Sequence, residues 1–339
     1  MTGADVNLHI PLIRLNPWYP GQMGVEGAWT DTGLRTHSTG TVFYVSPNHP
    51  GASDLRDGTD PNDPLVTVQA AINRCESYRG DVIAVMPHGR WAYSPGTIYP
   101  LGISESALLD KHGVHLMGLS SATIGVPWYT PLAGGTALTV TGIDCIVEGF
   151  AFCGFVGVGA PGRAIYATWI LGGPAYGENL TILNNVFSGP TIGLQLEFNW
   201  YCHIHNNTFW ALTNYGLYFD RTTTPANAPE YCEINDNIFH NVGANGGGGA
   251  IRLPGCNYCY IHHNQCYNDD AQAAAAATDE GFVTNDGTLA GLHNTVALNV
   301  FSCQNTKVAA GDFGDLNGGS ATDCWTENYC MNAVAYGIP

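Results

Sequence analysis

The sequence predicts an all-β chain: a right-handed parallel β-helix with an N-terminal capping helix and an extended N-terminal arm. Three observations predict it. A nine-residue unit recurs through the second half of the chain. An asparagine holds the same place in the copies. The composition is rich in Gly (43 residues) and poor in charge (12%), which suits many short strands joined by turns. A solenoid grows by stacking, so 339 residues need not divide into several globular cores.

Four copies of the unit align without gaps: Asn179–Phe187, Tyr201–Phe209, Tyr231–Phe239 and Tyr258–Cys266. His293–Phe301 and a run ending at Cys330 fit less closely, and Asp144–Phe152 lacks the asparagine. The second and fourth positions alternate with polar neighbours, so they share one face of a strand. They read Leu180/Ile182, Cys202/Ile204, Cys232/Ile234 and Cys259/Ile261, small or branched side chains suited to a stacked interior. The ninth position (Phe187, Phe209, Phe239, Cys266, Phe301, Cys330) forms a second inward stack.

The seventh position is Asn185, Asn207, Asn237, Asn264, Asn299 and Asn328. Asparagine tolerates left-handed backbone and bonds to neighbouring backbone, and stacked asparagines can bond one another as a ladder. These six are expected to form one corner column. A second strand family precedes the units: Gly193–Glu197, Gly216–Asp220, Ala250–Leu253 and Gly281–Thr284, with Leu194, Leu217, Ile251 and Phe282 pointing inward. The spacing between units varies, which places insertions in loops such as Thr222–Pro229 and Asp269–Asp279.

Residues 41–90 form the start of the coil and 91–339 the coil itself. Val42–Ser46 reads as a strand, Asp57–Pro64 as a turn and Gly80–Met86 as a first rung. Between them Thr67 is an N-cap for a short helix whose Val68, Ala71 and Ile72 share one face. An open coil end would expose core and strand edge, so a cap is physically required. On this order of elements and on the repeat, the chain resembles the pectin-lyase-like family of parallel β-helices over roughly residues 41–335. The resemblance implies the fold and says little about function. Enzymes of that family place catalytic carboxylates on the outer face of one sheet. The double-Asp, Gly-His-Gly and Arg-Ile-Lys motifs of polygalacturonases and the Trp-Ile-Asp-His run of pectate lyases are absent.

Residues 1–40 lie outside the repeat. Leu8, Ile10, Leu12, Ile13, Leu15, Trp18 and Tyr19 are broken up by Pro11, Pro17 and Pro20, a run too short to make its own core. An exposed apolar patch is seldom kept by a soluble monomer. This arm is therefore expected to dock on a neighbouring subunit and support a homo-oligomer, with a trimer among the arrangements.

No catalytic or metal site is assigned, and no cofactor is expected. The catalytic candidates are Glu197 and Asp220, at equivalent outward positions on adjacent rungs about 5 Å apart, with Arg252 one rung further. Two carboxylates so placed suit a retaining glycosidase. The metal candidates are His203, His205 and Glu233, a His-x-His pair beside a carboxylate. His205 and His262 stand about 10 Å apart, too far to share an ion. The cysteines fall in an inward column and read as small hydrophobes.

The formal charge is −17 with two lysines, Lys111 and Lys307, which speaks against nucleic acid as a partner. No basic segment followed by an apolar run opens the chain and no stretch reads as membrane-spanning. Synthesis in a cytoplasm is expected, with reduced cysteines. The expectation for function is a non-enzymatic virion structural protein, as a capsid decoration, tail or spike component, partnered by its own copies and other virion proteins at the virion surface. The alternatives are a polysaccharide lyase or glycoside hydrolase, including an enzymatic tailspike, and a non-viral surface or filament protein.

Overall fold

The computed structural model describes residues 40–330 apart from 87–92, 95–96, 99–101, 120–124, 131–133, 154–161, 169–176, 221–228, 244–248, 254, 269–282, 286–292, 304–312 and 316–323. The arm with Leu8 to Tyr19, the glycine run at 246–248 and the insertions at 222–228 and 269–279 lie outside the described residues.

The chain winds into a right-handed parallel β-helix of three parallel sheets. A ten-stranded sheet runs from Val42–Val45 to Cys324–Thr326, a nine-stranded sheet from Ile103–Ser104 to Tyr329–Cys330, and an eight-stranded sheet from Ala107–Leu109 to Phe313–Asp315. Strands two to six residues long suffice because each pairs with neighbouring rungs. Near the N-terminal end lies the helix Val68–Arg74. Thr67 Oγ1 accepts from the Ala70 amide, and the Glu105 carboxylate accepts from the Val68 and Gln69 amides at 2.6 and 3.3 Å. These acceptors satisfy first-turn donors that a helix cannot satisfy itself. Val68, Ala71 and Ile72 are buried. Among the described residues no helix is long and apolar enough to cross a membrane.

The core is built from stacked columns. Leu180, Cys202, Cys232 and Cys259 are buried, as are Ile182, Ile204, Ile234 and Ile261. Phe152, Phe187, Phe209 and Phe239 stack face to face, with ring centroids 5.4, 4.6 and 4.6 Å apart. In the eight-stranded sheet Leu194, Leu217 and Ile251 lie in register inside. The next rung departs from the sequence alignment by one residue, because Val283, not Phe282, pairs with Ile251. A one-residue slip exchanges the faces of a strand.

Two corners of each rung require left-handed backbone. One is the first residue of the unit, in Asp144, Asn179, Tyr201, Tyr231, Tyr258 and His293, with φ of 55–63°. The other is the residue before each ladder asparagine: Asn184, Asn206, Asp236, His263, Leu298 and Glu327, with φ of 54–56°. The left-handed turn thus falls on the neighbour, and the ladder asparagine supplies the hydrogen bonds that hold it. Asn185, Asn207, Asn237, Asn264, Asn299 and Asn328 form one continuous column. In each link the backbone N–H and side-chain Nδ2 of one asparagine donate to Oδ1 of the next, at 2.9–3.2 Å.

The cysteine column makes a prediction. Cys202, Cys232 and Cys259 are buried and unbridged, and burial pushes the Cys232 and Cys259 thiols well up. Reactivity follows the thiolate. With a disulfide-exchange reagent, exposed Cys324 is expected to label first among the described cysteines in the native protein. Cys202, Cys232 and Cys259 should label only on unfolding. Mapping the modified peptides by mass spectrometry checks this, and rapid native labelling of the buried three would refute the column.

Candidate functional site

Alternation along the eight-stranded sheet decides which side chains face out. Leu194, Leu196, Leu217 and Phe219 are fully buried, so Gln195, Glu197, Tyr218 and Asp220 project from the outer face. Register then aligns them across rungs. Tyr166 pairs with Gln195, Gln195 with Tyr218 and Tyr218 with Arg252, while Glu197 pairs with Asp220. Adjacent strands stand about 4.8 Å apart, so the two carboxylates are set at one rung's spacing.

Each carboxylate has its own partners. Glu197 Oε2 accepts from the Tyr166 hydroxyl and from Thr168 Oγ1 at 3.2 Å. Asp220 Oδ2 accepts from Gln195 Nε2 at 2.8 Å. Gln195 Oε1 in turn accepts from Arg163 Nη1 at 3.3 Å. The Arg163 guanidinium lies 4.3 Å over the Tyr166 ring. On the far side Arg252 Nη1 donates to the Tyr215 hydroxyl, and its guanidinium lies 5.1 and 5.8 Å from the Tyr215 and Tyr218 rings. The face therefore carries two carboxylates flanked by tyrosines and two arginines.

Burial pushes the Asp220 carboxyl above its usual range, and the Glu197 charge pushes it further. The Gln195 and Tyr218 hydrogen bonds and the Arg163 charge oppose that rise. Burial, followed by the hydrogen bond to Glu197, also raises the Tyr166 phenol. A carboxyl raised beside a second carboxylate is the arrangement that a proton-donor role requires.

The sequence candidates are placed unevenly. Glu197 and Asp220 meet in register. Arg252 is one rung further but occupies the Tyr218 position, two residues before that of Asp220, so it reaches the tyrosines. Tyr166, Gln195, Arg163 and Thr168 were not among the candidates. A signal for Tyr166 and Gln195 exists: Ala164–Ala167, Gly193–Leu196, Gly216–Phe219 and Ala250–Leu253 all read small, apolar, variable, apolar. The variable place is Tyr166, Gln195, Tyr218 and Arg252, one outward column.

The histidines lie on the outer face of the ten-stranded sheet. Register pairs His203 with Glu233, and His205 with Asn235 and then His262. His203 Nδ1 lies 3.3 Å from one Glu233 oxygen and His262 Nε2 lies 3.1 Å from the other. His205 is buried, with Nδ1 3.1 Å from Asn206 Nδ2. Burial lowers its protonation, with the neighbouring His203 acting in the same direction. The structure thus joins Glu233 to His203 and His262, rather than to the His203/His205 pair. Among the described residues no group of three or more His, Cys, Asp or Glu side chains is arranged to hold a metal ion.

No protein-family model matches the chain, and no curated protein matches it. Its shape is similar to solved structures at low identity. An alginate lyase from Paenibacillus sp. str. FPU-7 shares 12% identity over 78% of this chain and 92% of its own, with a TM-score of 0.45. The surface protein and adhesin PfbA of Streptococcus pneumoniae shares 12% over 74% of each chain, with a TM-score of 0.40. The GH136 lacto-N-biosidase from Eubacterium ramulus shares 11% over 86% of this chain and 67% of its own, with a TM-score of 0.38. The likeness is one of fold. It corrects the expected virion structural role, since these structures are enzymes and a bacterial adhesin and none is a virion protein.

Proposed function

We propose that this chain is a glycan-cleaving enzyme, a glycoside hydrolase of retaining geometry working on the outer face of its eight-stranded sheet. The observation that supports it is the in-register pair Glu197 and Asp220, one strand spacing apart, with Asp220 held toward its protonated form. Retaining glycosidases set their two carboxyl groups about 5–5.5 Å apart. The helix Val68–Arg74 serves in this reading as the cap of the coil that carries the site.

Asp220 donates its proton to the glycosidic oxygen as that bond to the anomeric carbon breaks. Glu197 attacks the same carbon and forms a glycosyl ester, its charge steadied by the Tyr166 and Thr168 hydroxyls. Asp220, now a carboxylate, takes a proton from water. The water oxygen bonds to the anomeric carbon, the ester breaks, and Glu197 is restored. Tyr166 and Tyr218, two rungs apart with Gln195 between them, offer ring surface to sugars.

The test is a screen on diverse poly- and oligosaccharides with proton NMR of the first products. Retained anomeric configuration is expected, and inversion would exclude a covalent role for Glu197. Products bearing a new double bond would instead mark a polysaccharide lyase.

A further inference from the structure

Asp220 is held from one side by a side chain that does not itself need to touch a substrate. Gln195 is buried although it faces out, and its amide is bonded at both ends. Arginine can only donate, so the Arg163 contact must fall on the carbonyl oxygen of Gln195. That fixes the amide's orientation and turns Nε2 toward Asp220 Oδ2. Nε2 can only donate as well, so Oδ2 must remain an acceptor in either protonation state of Asp220.

We infer that Gln195, oriented by Arg163, is a positioning residue that confines the acidic proton of Asp220 to Oδ1. The Arg163, Gln195 and Asp220 side chains form a relay across three consecutive rungs. Its effect is to leave Asp220 one proton-bearing oxygen instead of two. The inference rests on the proposed hydrolase reading for its purpose, and on the geometry alone for its existence.

Other groups face Asp220. From the preceding strand Glu197 supplies negative charge, and from the strand before it Arg163 supplies positive charge, while Tyr166 donates to Glu197. From the following strand Arg252 is turned to Tyr215 and Tyr218. On its own strand Tyr218 hydrogen-bonds it. Among these the Gln195 donor can be removed without altering any charge. A donor to a carboxylate favours its ionised form, so losing it raises the Asp220 pKa.

The experiment compares wild type with Gln195→Met and Gln195→Glu in the full chain. Met keeps the length but cannot donate. Glu keeps the shape, cannot donate when ionised, and adds negative charge. The Asp220 pKa is read by carbon NMR of Cγ-labelled aspartate, with Asp220→Asn assigning the resonance. An upward shift of about one unit is expected for Gln195→Met, and at least as much for Gln195→Glu. On any glycoside that wild type cleaves, the alkaline limb of kcat/KM should move up by the same amount, with kcat falling more than KM changes. A merely structural glutamine would lower the melting temperature and leave the limb in place. An unmoved Asp220 resonance in folded variants overturns the relay even if the enzyme is active. Absence of turnover in wild type would fail the hydrolase reading, while the NMR titration would still decide the relay.

Discussion

Glu197→Gln is expected to lower kcat/KM by about 10³-fold or more while leaving the coil folded. The amide keeps the size of the side chain and still meets Tyr166 and Thr168. It cannot attack an anomeric carbon or balance positive charge developing there. The substitution has a second consequence. The Glu197 charge helps to raise Asp220, so any residual activity should lose its alkaline limb at lower pH. Asp220→Asn should behave differently. It removes the proton donor, so cleavage of ordinary glycosides should fall by about 10²–10⁴-fold. For an aryl glycoside whose leaving group needs no proton, kcat/KM should be largely spared while kcat still falls, because Asp220 also activates the water that hydrolyses the ester. Steady-state kinetics on both substrate types, with circular dichroism as the folding control, separates the roles. Glu197→Gln retaining activity within tenfold of wild type would remove Glu197 from the chemistry.

The fold was legible because the repeat is chemically monotonous inside. A column that reads Ile182, Ile204, Ile234 and Ile261 leaves few registers that bury every member, and the asparagine column fixes that register. The rung near Val283 departs because aligning Gly281 with Gly193, Gly216 and Ala250 puts Phe282 in the inward column, whereas Val283 pairs with Ile251. The carboxylate pair was visible because Glu197 and Asp220 end aligned strands. Their supporting residues were not. Tyr166 lies on a strand that follows Asp144–Phe152, the copy without the asparagine, and the importance of Tyr166 and Gln195 comes from what they bond, which their shared outward column does not show. The histidines were paired within one strand, as His203 and His205. Glu233 instead bridges diagonally to His262 on another rung, a contact that depends on side-chain reach. The function was misjudged for a related reason. Motif absence excludes two known arrangements of catalytic residues and no others.

The ladder carries the largest expected effect on stability. Asn237 is fully buried in its centre. Its Oδ1 accepts from the backbone N–H and Nδ2 of Asn207, both at 3.0 Å. Its Nδ2 donates to Ile204 O at 2.9 Å and to Asn264 Oδ1 at 3.0 Å. These bonds hold a corner that includes left-handed Asp236, a conformation that costs a non-glycine residue about 1–2 kcal/mol. Asn237→Leu keeps the volume but strands the buried Asn207 backbone N–H and takes a donor from Ile204 O, each costing about 1–3 kcal/mol when unmet, while the Asn207 and Asn264 side chains keep their other bonds. A loss of about 3–5 kcal/mol is expected, offset only slightly by added apolar burial. Asn328→Leu supplies the comparison. Its Oδ1 serves Asn299 in the same way, and its Nδ2 donates to Val296 O, but no asparagine follows it among the described rungs. It should cost less. A stacked coil can unfold from an end, so denaturant midpoints should be read together with hydrogen exchange at the Asn207 and Asn237 amides. Faster exchange is expected at Asn207, whose amide loses its acceptor. If Asn237→Leu costs under about 1 kcal/mol, or no more than Asn328→Leu, the ladder is a consequence of the stacking and contributes little to holding it.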